Sequence, residues 1–409
     1  PRGPLYSAGV SADGGTGREN ARVELYDNAG AYVSSTTTDA DGNYRFSPLT
    51  AGTYTVRVVN ETVASGRTGY TASLRAVQTF RTNASSGSAV AVTDRVGGET
   101  PNLVDAASNV SSATLASLTT GSTTAQSITT AVVGSGTVAN VDFGFSFNVV
   151  VNTNDSGQGS LRQFLTNANA LGNTGLAING RSAGIDHALF MISNGTAAAG
   201  LRAANNYFSG GVASIAPASA LPTITEAVVI DAQTQPGWSS APIVELNGTS
   251  AGGASRGLYL NTSGNTVSGL AINRFGQHGI YIHTNANNNT VQGNYIGLGA
   301  DGTTAYANGG SGIFVSNSSN NTIGGTAVNA GNVVSANGAN GVQIDQASSN
   351  NNALYGNIIG LASDGNTDRG NTSRGIFLSS AIDTQIGNGT ASGRNVISGN
   401  GSEGIFNSN

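Results

Sequence analysis

The chain has 409 residues, only 10% of them charged, and a formal net charge of −5 that leaves no basic footprint for nucleic acid or an anionic membrane surface. All 17 Lys+Arg positions are Arg, which removes Schiff-base lysines and a P-loop lysine. Zero Cys removes disulfides, thiol catalysis and cysteine-held metals.

No apolar run is long enough to cross a bilayer, so no membrane span is expected. Low charge with 59 Gly suits disorder, but Val, Ile and Thr recur in short regular runs. The chain therefore reads as all-β, many short strands joined by turns. Residues 1–20, rich in Gly and Ser, read as an extended arm or linker. The next region, 21–147, reads as an antiparallel β-sandwich. Alternation predicts strands at 23–26, 32–38, 44–46 and 54–58, joined by Asp27-Asn28-Ala29-Gly30, Asp41-Gly42 and Ala51-Gly52 turns. Asp39, Asp41 and Asn43 have the oxygen spacing that opens a calcium loop, although Gly arrives at the fourth position and no Glu closes the twelfth. A hairpin turn is the alternative there, and calcium is the one cofactor the sequence suggests.

Thr38-Asp39-Ala40-Asp41-Gly42-Asn43-Tyr44-Arg45-Phe46, followed by Ala51-Gly52-Thr53-Tyr54-Thr55-Val56, resembles the Cna-B/SdrD-B-like repeat domains of bacterial surface proteins over roughly residues 20–60. The resemblance implies a sandwich fold and a secreted or cell-surface location. Many members of that group carry an internal Lys–Asn isopeptide bond, which this chain cannot make without Lys.

Residues 61–140 are Ser/Thr/Ala-rich with apolar islands such as Ala89-Val90-Ala91-Val92, expected to complete the sandwich. The alternating run 138–147 predicts a half-buried strand, with a boundary near residue 148. A helix is predicted over about 160–170. Ser160 and Gln163 form a capping box, and Leu161, Phe164, Leu165 and Ala168 fall on one face. Placed before a strand array, such a helix would cap its open end. With Leu221-Pro222-Thr223-Ile224-Thr225 and the run from Val229-Ile230-Asp231 to Val244-Glu245-Leu246-Asn247-Gly248, this segment resembles the entry to large bacterial surface proteins with parallel β-helix repeats. That resemblance covers residues 140–409 and implies a right-handed parallel β-helix over 148–409, in a group with no single assigned activity.

The last third repeats with an offset of 63: Asn294-Tyr295-Ile296-Gly297-Leu298 returns as Asn357-Ile358-Ile359-Gly360-Leu361, and Gly312-Ile313-Phe314-Val315 as Gly375-Ile376-Phe377-Leu378. Each coil reads Gly-apolar-x-apolar, then Asn-Thr-apolar, then Asn-x-Ile, which gives three strands per coil and two unequal coils per repeat. Stacking is expected to align Ile280, Ile313, Val342, Ile376 and Ile405 in one apolar column. About eight or nine coils at ~4.8 Å would give a rod of about 40 Å. Asn294, Asn332, Asn357 and Asn395 recur at one corner, and Asn265, Asn289, Asn321 and Asn352 at another. Stacked amides at corners form hydrogen-bonded ladders, and a ligand-binding Asn row is the competing use.

Asp301 and Asp364 are related by the repeat at about the spacing an acid–base pair needs, yet both sit in Asp-Gly loops, which are common turns. A lyase would need grouped acids beside a base such as Arg274, Arg369 or Arg374, and acidic neighbours are sparse. His278 and His283, an odd number apart, are expected on opposite faces. Trp238, the one Trp, reads as a wall-packed loop residue or a sugar platform. The leading expectation is a non-enzymatic extracellular structural protein: a stalk, an adhesin segment or a self-assembling filament subunit. Gly404-Ile405-Phe406 stands in mid-coil, so further repeats or head-to-tail copies of the chain are the expected partners. The alternative is a carbohydrate-binding or polysaccharide-degrading β-helix, with surface glycans as partners; it calls for an aromatic and acidic strip along one face.

Overall fold

A computed structural model describes residues 16–110, 113–178 and 180–408. Contacts divide the chain into two compact units, Pro1–Asn152 with Ser156–Gly184 and Met191–Tyr207, and Thr153–Asp155 with Ile185–Phe190 and Phe208–Asn409.

In the first unit, Arg22–Tyr26 is the hub of an antiparallel sheet ordered Tyr32–Thr37, Arg22–Tyr26, Gly52–Val58, Ser127–Val133. A second sheet joins Val90–Ala91, Val77–Asn83 and Phe143–Ser146. Val23, Leu25, Tyr54, Val56 and Val58 of the first sheet form one core with Ala76 and Ala84, and the rings of Phe143, Phe145 and Phe147 pack against it. The unit is a β-sandwich. The first fifteen residues of the expected arm lie outside the described residues. At its end, Asn20 N donates to Thr38 O at 2.9 Å.

Two strand expectations fail. Residues 44–46 pair with no strand: Tyr44 and Phe46 turn their rings into the core, Tyr44 also bonding Val141 O through its hydroxyl, while Ser127–Val133 takes the fourth place in the sheet. The 138–147 run is a strand only at Phe143–Ser146, because Asn140 takes a left-handed φ of 61° that breaks the extended backbone.

Arg22–Tyr26 is buried on both faces, since the face away from the apolar core holds a charged clasp. Arg57 Nη1 donates to Glu24 Oε2 at 2.8 Å, and Arg57 Nη2 lies 3.3 Å from Asp105 Oδ2. Tyr26 hydroxyl and Asn109 N also donate to Glu24, at 2.7 and 2.6 Å, while Asn60 N and Gln126 N donate to Asp105 at 2.8 and 2.9 Å. Burial raises the Glu24 carboxyl, but bonds from Tyr26 and Arg22 and the Arg57 charge outweigh it and hold it below its ordinary range. Burial wins at Asp105, pushing it up to about 6 against the pull of Arg57 and the two amides.

The helix Leu161–Ala170 belongs to this unit and buries Leu161, Phe164, Leu165 and Ala168, the face the spacing predicts. Asn167 Nδ2 donates to Arg75 O at 2.9 Å, and Arg67 closes the far end by donating to the carbonyls of Leu171 and Gly172, both at 2.9 Å.

The second unit is a parallel β-helix of three sheets. One runs from Asp186–Phe190 through Val228–Asp231, Thr266–Ser268, Thr290–Gln292 and Thr322–Gly324 to Ala353–Tyr355 and Gln385–Ile386. The next has seven strands, from Ala213–Ile215 to Val396–Ile397. The third has six: Leu258–Leu260, Ile280–Ile282, Ile313–Ser316, Val342–Asp345, Ile376–Ser379 and Ile405–Asn407. The second sheet's seven strands give seven coils in this unit, against the eight or nine expected. Ile313, Val342, Ile376 and Ile405 open successive rungs at intervals of 29, 34 and 29 residues, which resolves the 63-residue repeat into two unequal coils.

The apolar column forms in register: Ile280 pairs with Ile313, Ile313 with Val342, Val342 with Ile376 and Ile376 with Ile405. The first four are fully buried, while Ile405 on the last rung is 48% exposed. Each buried aliphatic removes enough surface from water for ~1.5–3 kcal/mol. The Gly that opens each rung from Gly257 to Gly375 is required by close approach. A Cβ at Gly341 would fall 2.6 Å from Ile359 Cγ2 and 2.7 Å from Gly375 O.

Candidate binding face and structural ladders

Both expected Asn corners are ladders with one bonding rule. The backbone N and side-chain Nδ2 of each Asn donate to Oδ1 of the Asn one coil later. For Asn294, Asn332, Asn357 and Asn395 the N···Oδ1 distances are 3.0, 3.1 and 3.0 Å. For Asn265, Asn289, Asn321 and Asn352 they are 2.8, 2.9 and 3.0 Å. Asn332 Nδ2 also bonds Val291 O at 2.8 Å, so its amide faces the interior. A third ladder escaped the sequence reading: Asn308, Asn337, Asn371 and Asn400, with Nδ2···Oδ1 distances of 3.0, 2.9 and 2.8 Å. Its signal was present, since Asn371 and Asn400 follow Asn308 and Asn337 by 63 residues.

Asp301 and Asp364 sit in equivalent loops closed by Leu298–Ala305 and Leu361–Asp368 bridges, and Ser363 N donates to Gly302 O at 2.9 Å, stacking one loop on the other. Each carboxylate folds back on its own turn. Thr303 N and Thr304 N donate to Asp301 Oδ1 at 3.0 and 2.9 Å; Asn366 N and Thr367 N donate to Asp364 Oδ1, both at 2.8 Å. Burial raises Asp301, but Thr304 and Thr303 outweigh it and bring the carboxyl to about 2. The Thr367 hydroxyl and the Thr367 and Asn366 amides bring Asp364 to about 2 as well. A carboxyl ionised throughout the working range has no proton to give, so the pair supplies no general acid.

The Asp39 turn is likewise self-satisfied: Asp41 N and Asn43 N donate to Asp39 Oδ1 at 3.0 and 2.8 Å, and Asn43 Nδ2 reaches Oδ2 at 3.4 Å. The amide of Asn43 thus turns a donor, not an oxygen, toward Asp39. Among the described residues no group of three His, Cys, Asp or Glu is placed to hold a metal ion. At the helix, Ser160 Oγ accepts from Gln163 N at 3.1 Å. The Gln163 side chain bonds Asn167 Oδ1 at 2.9 Å instead of returning to Ser160, so half of the capping box forms.

The outward rows of the three sheets differ. The first carries Thr266, Thr290 and Thr322 in register. The second carries Tyr295, Val333 and Ile358, with the 301 and 364 loops over it: a Cβ at Gly302 would come 2.9 Å from the Tyr295 ring, and one at Gly365 3.9 Å from Ile358 Cδ1. The third carries Tyr259, Tyr281, Phe314, Gln343, Phe377 and Phe406 in register, all half-exposed. Ring centroids are 5.1 Å apart for Tyr259–Tyr281 and 5.2 Å for Tyr281–Phe314, the latter nearly parallel at 11°. Here is the aromatic strip that a glycan-binding face calls for, with acids beside it limited to Asp345 on the Val342–Asp345 rung and Glu403 paired with Arg374. It was legible as the x of each Gly-apolar-x-apolar rung.

Charges gather on this row. The Arg256 guanidinium lies 5.2 and 4.8 Å from the Tyr259 and Tyr281 rings, and Arg374 lies 4.9 and 4.3 Å from Phe377 and Phe406. Both histidines join it. His278 is 5.7 Å from Tyr281 and 4.8 Å from Phe314, and His283 is 5.4 Å from both Tyr259 and Tyr281. The expectation of opposite faces fails because the strand covers only Ile280–Ile282, leaving each His on a bend from which it folds onto the same ring. His278 Nδ1 accepts from Ser311 N at 3.1 Å, and burial beside Arg256 lowers its pKa to about 4, so the imidazole is neutral. Trp238 is half-buried in the loop after the short helix Ala232–Thr234, with its backbone N bonded to Gln235 O at 3.0 Å.

Residues 6–107 match the SdrD B-like domain family. The SdrD B-like domain is a non-enzymatic domain of cell-surface proteins, and in this chain a parallel β-helix follows it. The match reaches beyond residues 20–60 to take in the whole Glu24–Arg57–Asp105 clasp. No curated protein and no solved structure matches the chain. No helix among the described residues is long and apolar enough to cross a membrane.

Proposed function

We propose that this chain is an extracellular structural protein of the bacterial surface, in which the β-helix serves as a rigid stalk and the SdrD B-like domain as a folded module in series with it. The observation that carries the reading is the rung-to-rung bonding of the coil's corner amides. Three Asn ladders bond rung to rung around aliphatic columns, an arrangement whose chemistry is spent on holding shape. Polysaccharide cleavage is the weaker reading, because Asp301 and Asp364 are both committed to turns. Assembly with further copies of the chain extends the stalk reading to a filament.

Two measurements test this together. Antibodies raised against residues 208–408 are expected to label intact source cells, and the purified chain to leave acidic and neutral polysaccharides uncut. Absence of surface labelling overturns the location. Turnover abolished by Asp301→Ala or Asp364→Ala overturns the structural role.

A further inference from the structure

The outer row of the third sheet has features that rod-building does not require. The Tyr281 and Phe314 rings stack nearly parallel across successive rungs and are half-exposed, and ring edges carry the positive end of the aromatic quadrupole. Tyr259 and Tyr281 add hydroxyls one rung apart. His278, with Nδ1 taken by Ser311 N, is left with Nε2–H as a donor. Arg256 is the discriminating residue. Of the three arginines lying over rings in this unit, Arg274 pairs with Glu245 at 2.9 Å and Arg374 with Glu403 at 3.1 Å. Arg256 has no carboxylate within ion-pair distance among the described residues, and its buried Nε has no hydrogen-bond partner. A guanidinium held against two rings and left unpaired is a ready partner for a carboxylate from outside.

We propose that the row from Tyr259 through Phe314 binds an acidic polysaccharide, with Arg256 pairing a uronate carboxylate and the Tyr259, Tyr281 and His278 donors engaging the sugar oxygens along the chain. Donors that recur at the ~4.8 Å rung spacing present an extended face, which suits a linear polymer better than a small molecule. Because the protein carries a formal net charge of −5, non-specific attraction to a polyanion is absent, and recognition falls to the local cation.

The test is native affinity electrophoresis of the full chain through gels containing polygalacturonate, dextran or no polymer, with circular dichroism confirming the fold of each variant. Polygalacturonate is expected to retard the protein and dextran to leave it unretarded. Arg256→Gln should weaken retardation by about tenfold, the size expected for one charge-assisted bond. Tyr281→Phe, which keeps the ring stack, should weaken it less, and Arg394→Gln, an exposed arginine outside the row, should not change it. Equal retardation by both polymers, no retardation by polygalacturonate, or equal losses in Arg256→Gln and Arg394→Gln would each overturn the proposal. So would sedimentation showing that the row joins two copies of the chain and that Arg256→Gln separates them. None of these outcomes bears on surface labelling or polysaccharide turnover, so this proposal fails or stands apart from the stalk.

Discussion

Asn332 lies in the middle of a ladder, and truncating it tests whether the ladders hold the coils together. Its Oδ1 accepts from Asn294 N at 3.0 Å and from Asn294 Nδ2 at 3.1 Å, and its Nδ2 donates to Val291 O at 2.8 Å and Asn357 Oδ1 at 3.0 Å. In Asn332→Ala the Asn294 amide N–H, fully buried, loses its acceptor. Asn294 Nδ2 keeps Val267 O and Gln292 O, and Asn357 Oδ1 keeps Asn332 N at 3.1 Å. One orphaned buried donor costs ~1–3 kcal/mol, and the three further lost bonds cost ~0.5–1.5 kcal/mol each, so the expected loss is ~2.5–7.5 kcal/mol. The lone Trp, Trp238, lies in the second unit, so urea unfolding followed by its fluorescence reads this unit. Asn366→Ala, at an exposed loop position, is the matched control. Asn332→Asp should be worse near pH 7.5 than near pH 4.5. Burial raises the new carboxyl above its unfolded pKa, so stability is present at low pH and lost as pH rises through the native value. An Asn332→Ala variant within about 0.5 kcal/mol of the parent, no different from Asn366→Ala, would refute the reasoning.

Arg57→Met leaves buried Asp105 without its cation and Glu24 with Arg22 alone, and should cost the first unit ~3–5 kcal/mol near neutral pH by thermal unfolding. Asp105 already stands near 6, above its unfolded value, so its burden falls as pH drops through 6, and the variant should recover part of its loss by pH 5. Gly341→Ala should destabilise by ~1–3 kcal/mol through contact with Ile359 and Gly375, whereas Gly253→Ala, with open space at its Cβ, should fall within about 0.5 kcal/mol of the parent in the same urea assay. Carbon-13 titration should place Asp301 and Asp364 near 2; because both lie below their unfolded values, their contribution is present at neutral pH and fades only as pH falls toward 2. A midpoint above 4 for either would return it to consideration as an acid.

The β-helix was legible because its rungs repeat one short pattern, and the pattern is what a stacked coil needs: a Gly where backbones touch, aliphatics inward, Asn at the corner. What was missed lay where the pattern loosens. Asn308 and Asn337 follow loops of unequal length, which hides their register, although the 63-residue offset links them to Asn371 and Asn400. The aromatic row was hidden in a position treated as free, because no force inside the coil dictates it. The histidine error came from extending a three-residue strand through its bends. In the first unit, Val104–Asp105 and Thr123–Thr124 are too short to alternate, and what fixes the former is Arg57, a partner 48 residues away that no local pattern announces. The Asp39, Asp301 and Asp364 turns were readable from turn chemistry alone.

The three Asn ladders all donate in the same direction, from each coil to the one that follows. A coil therefore fits between two others in only one sense, and along each ladder it meets its neighbours through the same amide-to-amide bonds. Reach can then be edited by genetic recombination in pairs of unequal coils, each pair worth about 10 Å, with the ladder bonds and the stacked 301 and 364 loops kept in phase. Orientation is what such a gene must conserve, and length is what it is free to vary.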